Sequence, residues 1–123
     1  EWEAAVGKTK YPWGEYFPPK KEDGNYAILA DGKDDPAKVG VDGIKGTAPV
    51  GSFKENALGF HDLGGNVAEW MLDGFVEGDG RQWPRGGEWL TNSESKCSVS
   101  ARPLVDGRGG LSFGFRVVLG LNR

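Results

Sequence analysis

The sequence predicts a mixed α+β domain with long loops and a small antiparallel sheet. Glycine is the first reason, because 21 of the 123 residues are glycine, more than twice the average share. Asp-Gly pairs recur along the chain, and they favour tight turns because glycine tolerates positive φ. Only short runs have the periodicity of a helix or a strand. The chain is therefore expected to consist of turns and loops around a few short elements.

The spacing of apolar residues locates these short elements. Residues 1–6 predict the end of a helix, which Gly7 terminates. Residues 65–72 carry apolar side chains at helical spacing and predict a short helix or turn. Residues 97–101 alternate in the period-two manner of a strand, and the apolar run 113–119 predicts a second strand.

The region between residues 8 and 47 has no sustained periodicity. It holds four of the seven prolines and several Asp-Gly pairs, which predict a long irregular loop. A compact domain rarely contains so long a loop unless something organises it. A bound metal ion is one candidate for that role.

Composition limits the classes of partner and of compartment. The formal net charge of −3 argues against nucleic-acid binding, which usually needs a concentration of positive charge. No apolar run approaches the roughly 20 residues that span a bilayer, so no membrane span is expected. Cys97 is the only cysteine and cannot form an intrachain disulfide, which leaves the compartment open. A single domain over residues 1–123 is the expected organisation.

Seven short motifs, among them GNVAEW, RGG and GFRVV, occur in one order along the chain. They occupy residues 1–5, 11–14, 46–53, 56–59, 65–70, 85–87 and 114–118. Their order and spacing resemble the C-terminal half of the formylglycine-generating, sulfatase-modifying family. The resemblance implies a C-type-lectin-like core with little regular structure. It also implies that residues 1–123 correspond to the C-terminal half of a longer domain.

The resemblance implies a first calcium site in the long loop. Calcium takes six to eight oxygen ligands, which flexible acidic loops rich in glycine can supply. The family pattern assigns the side chains of Asn25 and Asp42 and the backbone carbonyls of Tyr26 and Ile44 to this site. The alternative is that such acids only cap turns or face solvent.

A second calcium site is implied within residues 62–69. The family pattern assigns it the side chains of Asp62 and Glu69 and the carbonyls of Gly65 and Val67. The run is not an EF-hand loop, because the alternating acidic positions and closing glutamate of that motif are missing. His61 is the only histidine, which disfavours zinc and the two-histidine iron site.

The catalytic cysteines of the founding enzyme are not matched in this chain. In that enzyme a C-x4-C pair shortly after the Arg-Gly-Gly motif binds copper through two thiolates. The corresponding positions here are Thr91 and Lys96, and a shift of one residue pairs Asn92 with Cys97. Neither pair supplies two thiolates. Cys97 is interpreted as a buried residue at the start of a strand.

Three functional hypotheses follow. The first is a noncatalytic, calcium-stabilised binding or scaffold module, which resembles the variable proteins of diversity-generating retroelements. Their display surface corresponds to residues 88–112, where a protein or glycan ligand would contact a set of candidate residues: Trp89, Thr91, Asn92, Ser93 and Glu94. The polar stretch 91–95 is expected to be exposed, and the alternative is an ordinary solvated loop. Trp89 is an aromatic anchor if it is exposed, and otherwise a core residue. The second is part of a metal-dependent oxidoreductase whose other active-site residues lie upstream. The third is an accessory domain of a bacterial kinase, secretion or motility protein.

Overall fold

The computed structural model describes residues 1–27, 40–75 and 77–120 of the chain. Two short helices and four two-residue strands are found in these ranges, and the rest of the described chain is turn, bend and loop. In chain order the elements are α1 Trp2–Val6, β1 Ala68–Glu69, β2 Arg81–Gln82, α2 Glu94–Cys97, β3 Val105–Asp106 and β4 Phe113–Gly114. This confirms the prediction of a loop-rich chain with little regular structure.

Helix α1 confirms the prediction made for residues 1–6. It buries Trp2 and Val6 on one side, and Gly7 follows at φ 92°, a conformation that suits glycine. The Gly7 amide donates a hydrogen bond to the carbonyl of Glu3, which satisfies one of the helix's terminal oxygens. No helix in the described ranges is long and apolar enough to cross a membrane.

The strands form two separate two-stranded sheets. Strand β1 pairs with β4 in parallel, and β2 pairs with β3 in the antiparallel sense. The expected antiparallel sheet is therefore present as one of two pairs. The parallel pair brings together residues 45 positions apart, Ala68 and Phe113. A pairing of that kind needs a long crossover and has no local sequence signature.

The helix considered for residues 65–72 does not form. Gly65 and Asn66 have φ values of 75° and 62°, which a right-handed helix cannot accommodate. The backbone bends through these residues and then enters β1. The apolar spacing is instead explained by packing on two sides, since Ala68 is buried while Trp70 stacks on Phe113 with ring centroids 4.7 Å apart.

Two strand predictions require correction. Cys97 ends α2 and the chain then turns, with the Ala101 amide bonded to the Ser98 carbonyl. A five-residue alternation is satisfied equally well by a helix end followed by a turn. In the run 113–119 only Phe113 and Gly114 form a strand, because the pairing with β1 ends there.

The core consists of two small apolar clusters. One contains Tyr11, Tyr26 and Cys97, and the partly buried Trp13 and Phe17 pack against it. The other contains Trp2, Val6 and Leu63, against which Ala5, Met71 and Val99 pack. Each cluster packs one short helix against loop residues, with Cys97 of α2 in the first and Trp2 and Val6 of α1 in the second.

Candidate functional site

Asn25 is buried in the interior, and its side-chain oxygen has no hydrogen-bond partner. Its side-chain amide nitrogen donates to the Gly46 carbonyl at 2.9 Å and to the Asn66 side-chain oxygen at 3.2 Å. Its own Oδ1 is buried and accepts no hydrogen bond. Leaving a buried acceptor without a partner costs free energy, so such an atom commonly contacts a bound ligand, an ion or an ordered water molecule.

Asp42 also has a buried side-chain oxygen without a hydrogen-bond partner. Its Oδ1 accepts from the backbone amide of Ile44 at 2.9 Å, whereas its buried Oδ2 has no partner. Burial raises the pKa of this carboxyl group, although the backbone amides of Ile44 and Tyr26 act in the opposite direction. A cation bound at Oδ2 would offset the desolvation of the carboxylate.

The backbone around these two oxygens is closely packed. The amide of Tyr26 is near enough to Asp42 to affect its carboxyl group, which puts Asp42 beside the Asn25-Tyr26 dipeptide. Gly40 packs so tightly that a Cβ there would fall 1.7 Å from the Tyr26 carbonyl oxygen. Among the described residues, no group of three or more His, Cys, Asp or Glu side chains is placed so that it could hold a metal ion. The donors here are instead amide, carbonyl and carboxylate oxygens, a set that suits calcium.

The second predicted set has a different arrangement, because the Glu69 carboxylate accepts hydrogen bonds from the side chain of Arg116. Arg116 donates from Nη2 to Glu69 Oε1 at 2.8 Å and from Nε to both carboxylate oxygens at 3.1 and 3.2 Å. The same Nη2 donates to the His61 carbonyl. The hydrogen bonds that Arg116 donates to Glu69 raise the pKa of Arg116, so its guanidinium stays charged. This guanidinium therefore already supplies the positive charge that a calcium ion would bring to Glu69.

The remaining residues of the second set are Asp62, Gly65 and Val67. Asp62 accepts from the Gly51 amide through Oδ2, and its buried Oδ1 has no partner. Gly65 lies against Asn25, since a Cβ on Gly65 would fall 2.5 Å from the Asn25 carbonyl oxygen. Val67 packs on Gly114 of β4. The two predicted sets thus lie close together along the Asn25–Gly65 contact.

Thr91, which stands at a catalytic cysteine position of the family pattern, is buried and closes a turn. Its Oγ1 accepts from the Glu88 amide at 2.9 Å and its own amide donates to the Glu88 carbonyl at 2.8 Å. Its carbonyl accepts from the Ala27 amide. The expectation that Thr91 is exposed for ligand binding is therefore wrong, and its side chain holds the loop in shape.

A pair of substitutions tests this role of Thr91. Thr91→Val keeps the shape but removes the acceptor of the Glu88 amide, and we expect it to cost about 1–2 kcal/mol of unfolding free energy. Thr91→Ser keeps the oxygen and should cost clearly less. Urea unfolding of the two variants provides the comparison. Equal losses would show that the methyl group, not the hydrogen bond, is the important feature.

Cys97 lies in a setting that suppresses thiol chemistry. It is buried against Tyr11 and Tyr26, and its sulfur donates to the Ser93 carbonyl at 3.3 Å. Burial raises the pKa of the thiol to about 12, so the thiolate is scarce at neutral pH. Lys96, at the other family position, is exposed on α2. The interpretation of Cys97 as a buried apolar residue is supported, although it ends a helix and does not begin a strand.

The other predicted ligand-binding residues differ in accessibility. Glu94 is exposed, whereas Trp89, Asn92 and Ser93 are half-buried. Glu94 already has two partners within the chain, because its carboxylate accepts hydrogen bonds from the Tyr11 hydroxyl and, at 2.9 Å, from Lys10 Nζ. These hydrogen bonds, that from Tyr11 above all, lower the pKa of Glu94. The network joins α2 to the start of the long loop, which sequence spacing had not indicated.

Two further buried polar residues link separate segments of the chain and were not predicted. Asn66 accepts from the Ala48 amide and returns a hydrogen bond to the Ala48 carbonyl, which locks two loops together. Arg85 stacks over the Trp2 ring at 4.7 Å and donates to Glu3 Oε1 at 2.7 Å. Both residues belong to family motifs, GNVAEW and RGG, so the motifs were the available signal.

Comparison with known proteins identifies the family. The family model described as "Sulfatase-modifying factor enzyme 1-like domain" matches residues 1–121. The formylglycine-generating enzyme of Mus musculus is 38% identical over 77 residues, which are 59% of this chain and 20% of the enzyme. That of Thermomonospora curvata is 35% identical over 77 residues and is covered to 25%. The chain thus spans only a quarter or less of these relatives.

A solved structure is similar to this chain over more of its length. Treponema denticola variable protein 1 superposes with a TM-score of 0.67 and 27% identity, covering 94% of this chain and 43% of that protein. The similarity extends beyond the 77-residue matches and includes nearly all of the loops described above. The chain belongs to the sulfatase-modifying factor enzyme 1-like family.

Proposed function

We propose that this chain is a noncatalytic binding or scaffold module with a C-type-lectin-like architecture, stabilised by calcium. The observation that carries the proposal is the pair of buried, unpartnered oxygens, Asn25 Oδ1 and Asp42 Oδ2. Both residues belong to the first set that the family pattern assigns to calcium. The carbonyls of Tyr26 and Ile44 would complete the protein's share of the ligands, and water would supply the rest.

We centre the proposed calcium site on this first set, because at the second set only one side-chain oxygen, Asp62 Oδ1, lacks a partner. At the second set, a calcium ion bound to Glu69 would have to displace Arg116, which contacts both carboxylate oxygens. The exchange would leave a partly buried guanidinium without its partner, which is unfavourable. We therefore assign Glu69 to an internal ion pair.

The noncatalytic part of the proposal rests on the thiol chemistry of the chain. Copper binding as in the founding enzyme needs two low-pKa thiolates, and the matched positions hold Thr91 and Lys96. The Thr91 hydroxyl is hydrogen-bonded within its turn, and burial raises the pKa of the Cys97 thiol. The residues present thus do not fit a copper centre.

This leads to a direct expectation about activity. Incubated with copper, oxygen and a sulfatase-type cysteine peptide, the chain should leave the peptide mass unchanged, because no second thiolate is available. Mass spectrometry of the peptide measures this, with a formylglycine-generating enzyme as positive control. Aldehyde formation that Cys97→Ser abolishes would contradict the proposal.

The proposed ligand surface lies within residues 88–112. Support comes from the exposed Glu94 and Ser95, from the partly exposed Trp89, and from the similarity to a protein that is named a variable protein. Aromatic side chains at such positions often dominate binding energy. With Thr91 buried, the surface consists of Trp89 and the residues around the start of α2.

A glycan array tests this surface. Trp89→Ala should weaken binding to any glycan that the parent chain retains by about tenfold, because an aromatic anchor is commonly worth more than 1 kcal/mol. Ser100→Ala, at an exposed position after α2, is the matched control and should bind as the parent does. Equal retention of all three chains would exclude Trp89 from the binding surface.

A further inference from the structure

A cavity of about 650 Å³ lies apart from both the proposed calcium site and the proposed ligand surface. One wall comes from residues 9–23 and the other from residues 54–64, with Val6 of α1 beside them. The volume falls in the range of roughly 300–1,000 Å³ that is typical of small-molecule sites. Two of the sequence motifs, residues 11–14 and 56–59, contribute to the lining. The proposed function gives neither motif a role.

The first wall of this cavity is fixed by contacts within the chain. The Tyr16 hydroxyl donates a hydrogen bond to Asp23 Oδ2 at 2.6 Å, and Lys20 Nζ lies 4.9 Å from the centre of the Tyr16 ring. The Lys54 amide donates to the Glu22 carbonyl at 2.9 Å, which joins the two walls. A ligand that enters between walls already held in place loses less of its affinity to ordering of the protein.

The second wall presents an aromatic ring to the cavity. Asn56 Oδ1 accepts hydrogen bonds from the amides of Leu58 and Phe60, each at 3.0 Å, and Asn56 Nδ2 donates to the Ala5 carbonyl at 2.7 Å. These bonds hold the turn that carries Phe60, whose side chain lines the cavity although it is 40% exposed. The half-buried Trp13 lines the cavity from the first wall. A ligand can therefore reach apolar ring surface.

The charges around the cavity are mixed in sign. Each wall carries a lysine and an acid, Lys20 with Asp23 and Lys54 with Glu55, and Asp62 adds a third carboxylate. A cation would meet two ammonium groups, and an anion would meet three carboxylates. Hydroxyl groups suit such a lining, because each of them can both donate and accept a hydrogen bond. Asp62 Oδ1 is moreover a buried acceptor without a partner.

We propose that this cavity is a saccharide-binding site. A sugar ring is uncharged, carries several hydroxyl groups and has an apolar C–H face. Phe60 and Trp13 pack against that face, Lys54 donates hydrogen bonds to the sugar, and Glu55 and Asp62 accept them. This division between apolar contact area and a few orienting polar groups is usual in small-molecule sites. The site shares no residue with the proposed ligand surface in residues 88–112, so the two stand independently.

Saturation-transfer NMR with maltose, cellobiose, lactose and N,N′-diacetylchitobiose tests the site. The parent chain should bind at least one of these disaccharides. Phe60→Ala should weaken that binding by at least about tenfold, because an aromatic contact is commonly the largest contribution. Lys54→Ala removes a hydrogen-bond donor and should weaken it by about threefold or more. Lys54 is exposed, so its variant is expected to fold, and NMR titration gives both dissociation constants.

Leu58→Ala is the matched control, because Leu58 is 58% exposed near Phe60 but does not line the cavity. It should bind as the parent does. Binding of none of the four disaccharides would overturn the proposal, as would unchanged affinity in Lys54→Ala. Binding that Trp89→Ala abolishes and Phe60→Ala leaves intact would place the sugar in residues 88–112 and also overturn it. Loss of binding in EGTA by a chain that stays folded would assign it to a metal ion instead, with the same consequence.

Discussion

Chelation of calcium should lower the melting temperature of this protein by roughly 10 °C, and added calcium should restore it. A ligand that binds only the folded state at about 100 times its dissociation constant stabilises by about 2.7 kcal/mol. For a domain of this size that free energy corresponds to a shift of this order. The physical basis is that Asn25 Oδ1 and Asp42 Oδ2 are buried acceptors without partners. Differential scanning calorimetry with EGTA and with calcium measures the shift.

The source of the shift can be assigned by substitution. Asp42→Asn removes the charge at the proposed site and should abolish most of the calcium response. Asp73→Asn is the matched control, because Asp73 also precedes a glycine but is exposed. A calcium response that survives in Asp42→Asn, or that is missing in the parent chain, would rule out the site.

Loss of the Glu69 carboxylate should be the second large effect, and it should not depend on calcium. The Glu69 side chain is 6% exposed and accepts three hydrogen bonds from Arg116. Glu69→Gln leaves the Arg116 guanidinium without its counterion. Because Arg116 remains partly solvated, we expect a loss of about 2–3 kcal/mol in unfolding free energy, below the range for fully buried pairs. Urea unfolding with and without calcium measures it.

The calcium dependence of this loss distinguishes two roles for Glu69. An equal loss in calcium and in EGTA supports the internal ion pair. A loss that appears only in calcium would mean that Glu69 is a metal ligand and that the assignment of its charge to Arg116 is incorrect. Glu77→Gln, an exposed glutamate in a turn, serves as the control and should change the free energy of unfolding by no more than about 0.5 kcal/mol.

Local sequence signals were sufficient for some elements and misleading for others. The helix ending at Gly7 was predictable because its stop signal lies within the same turn. The apolar spacing of residues 65–72 predicted a short helix or turn, and positive φ at Asn66 and the pairing of β1 with β4 exclude the helix. Residues 97–101 were too short a window to separate a strand from a helix end. Periodicity identifies which side chains are buried more reliably than which backbone conformation buries them.

The residues of the candidate site come from the family pattern, whereas the hydrogen-bond partners of their side chains could not be predicted from the sequence. Asn25, Tyr26, Asp42 and Ile44 were selected from the family pattern. Which of their oxygens lack partners depends on contacts with Gly46 and Asn66, 21 and 41 positions further along the chain from Asn25. The prediction that calcium binds there remains to be tested.

By itself, the sequence determined the loop-rich composition, the first helix and membership of the family, because glycine content, a helix stop and ordered motifs are local properties of the chain. The tertiary structure alone decided that Arg116 neutralises Glu69 across 47 positions, that Thr91 is buried, and that residues 9–23 and 54–64 line one cavity. Each of these depends on which loops meet in space. The periodicity of a single segment does not specify these tertiary contacts, because they depend on hydrogen bonds and packing between segments far apart in the chain.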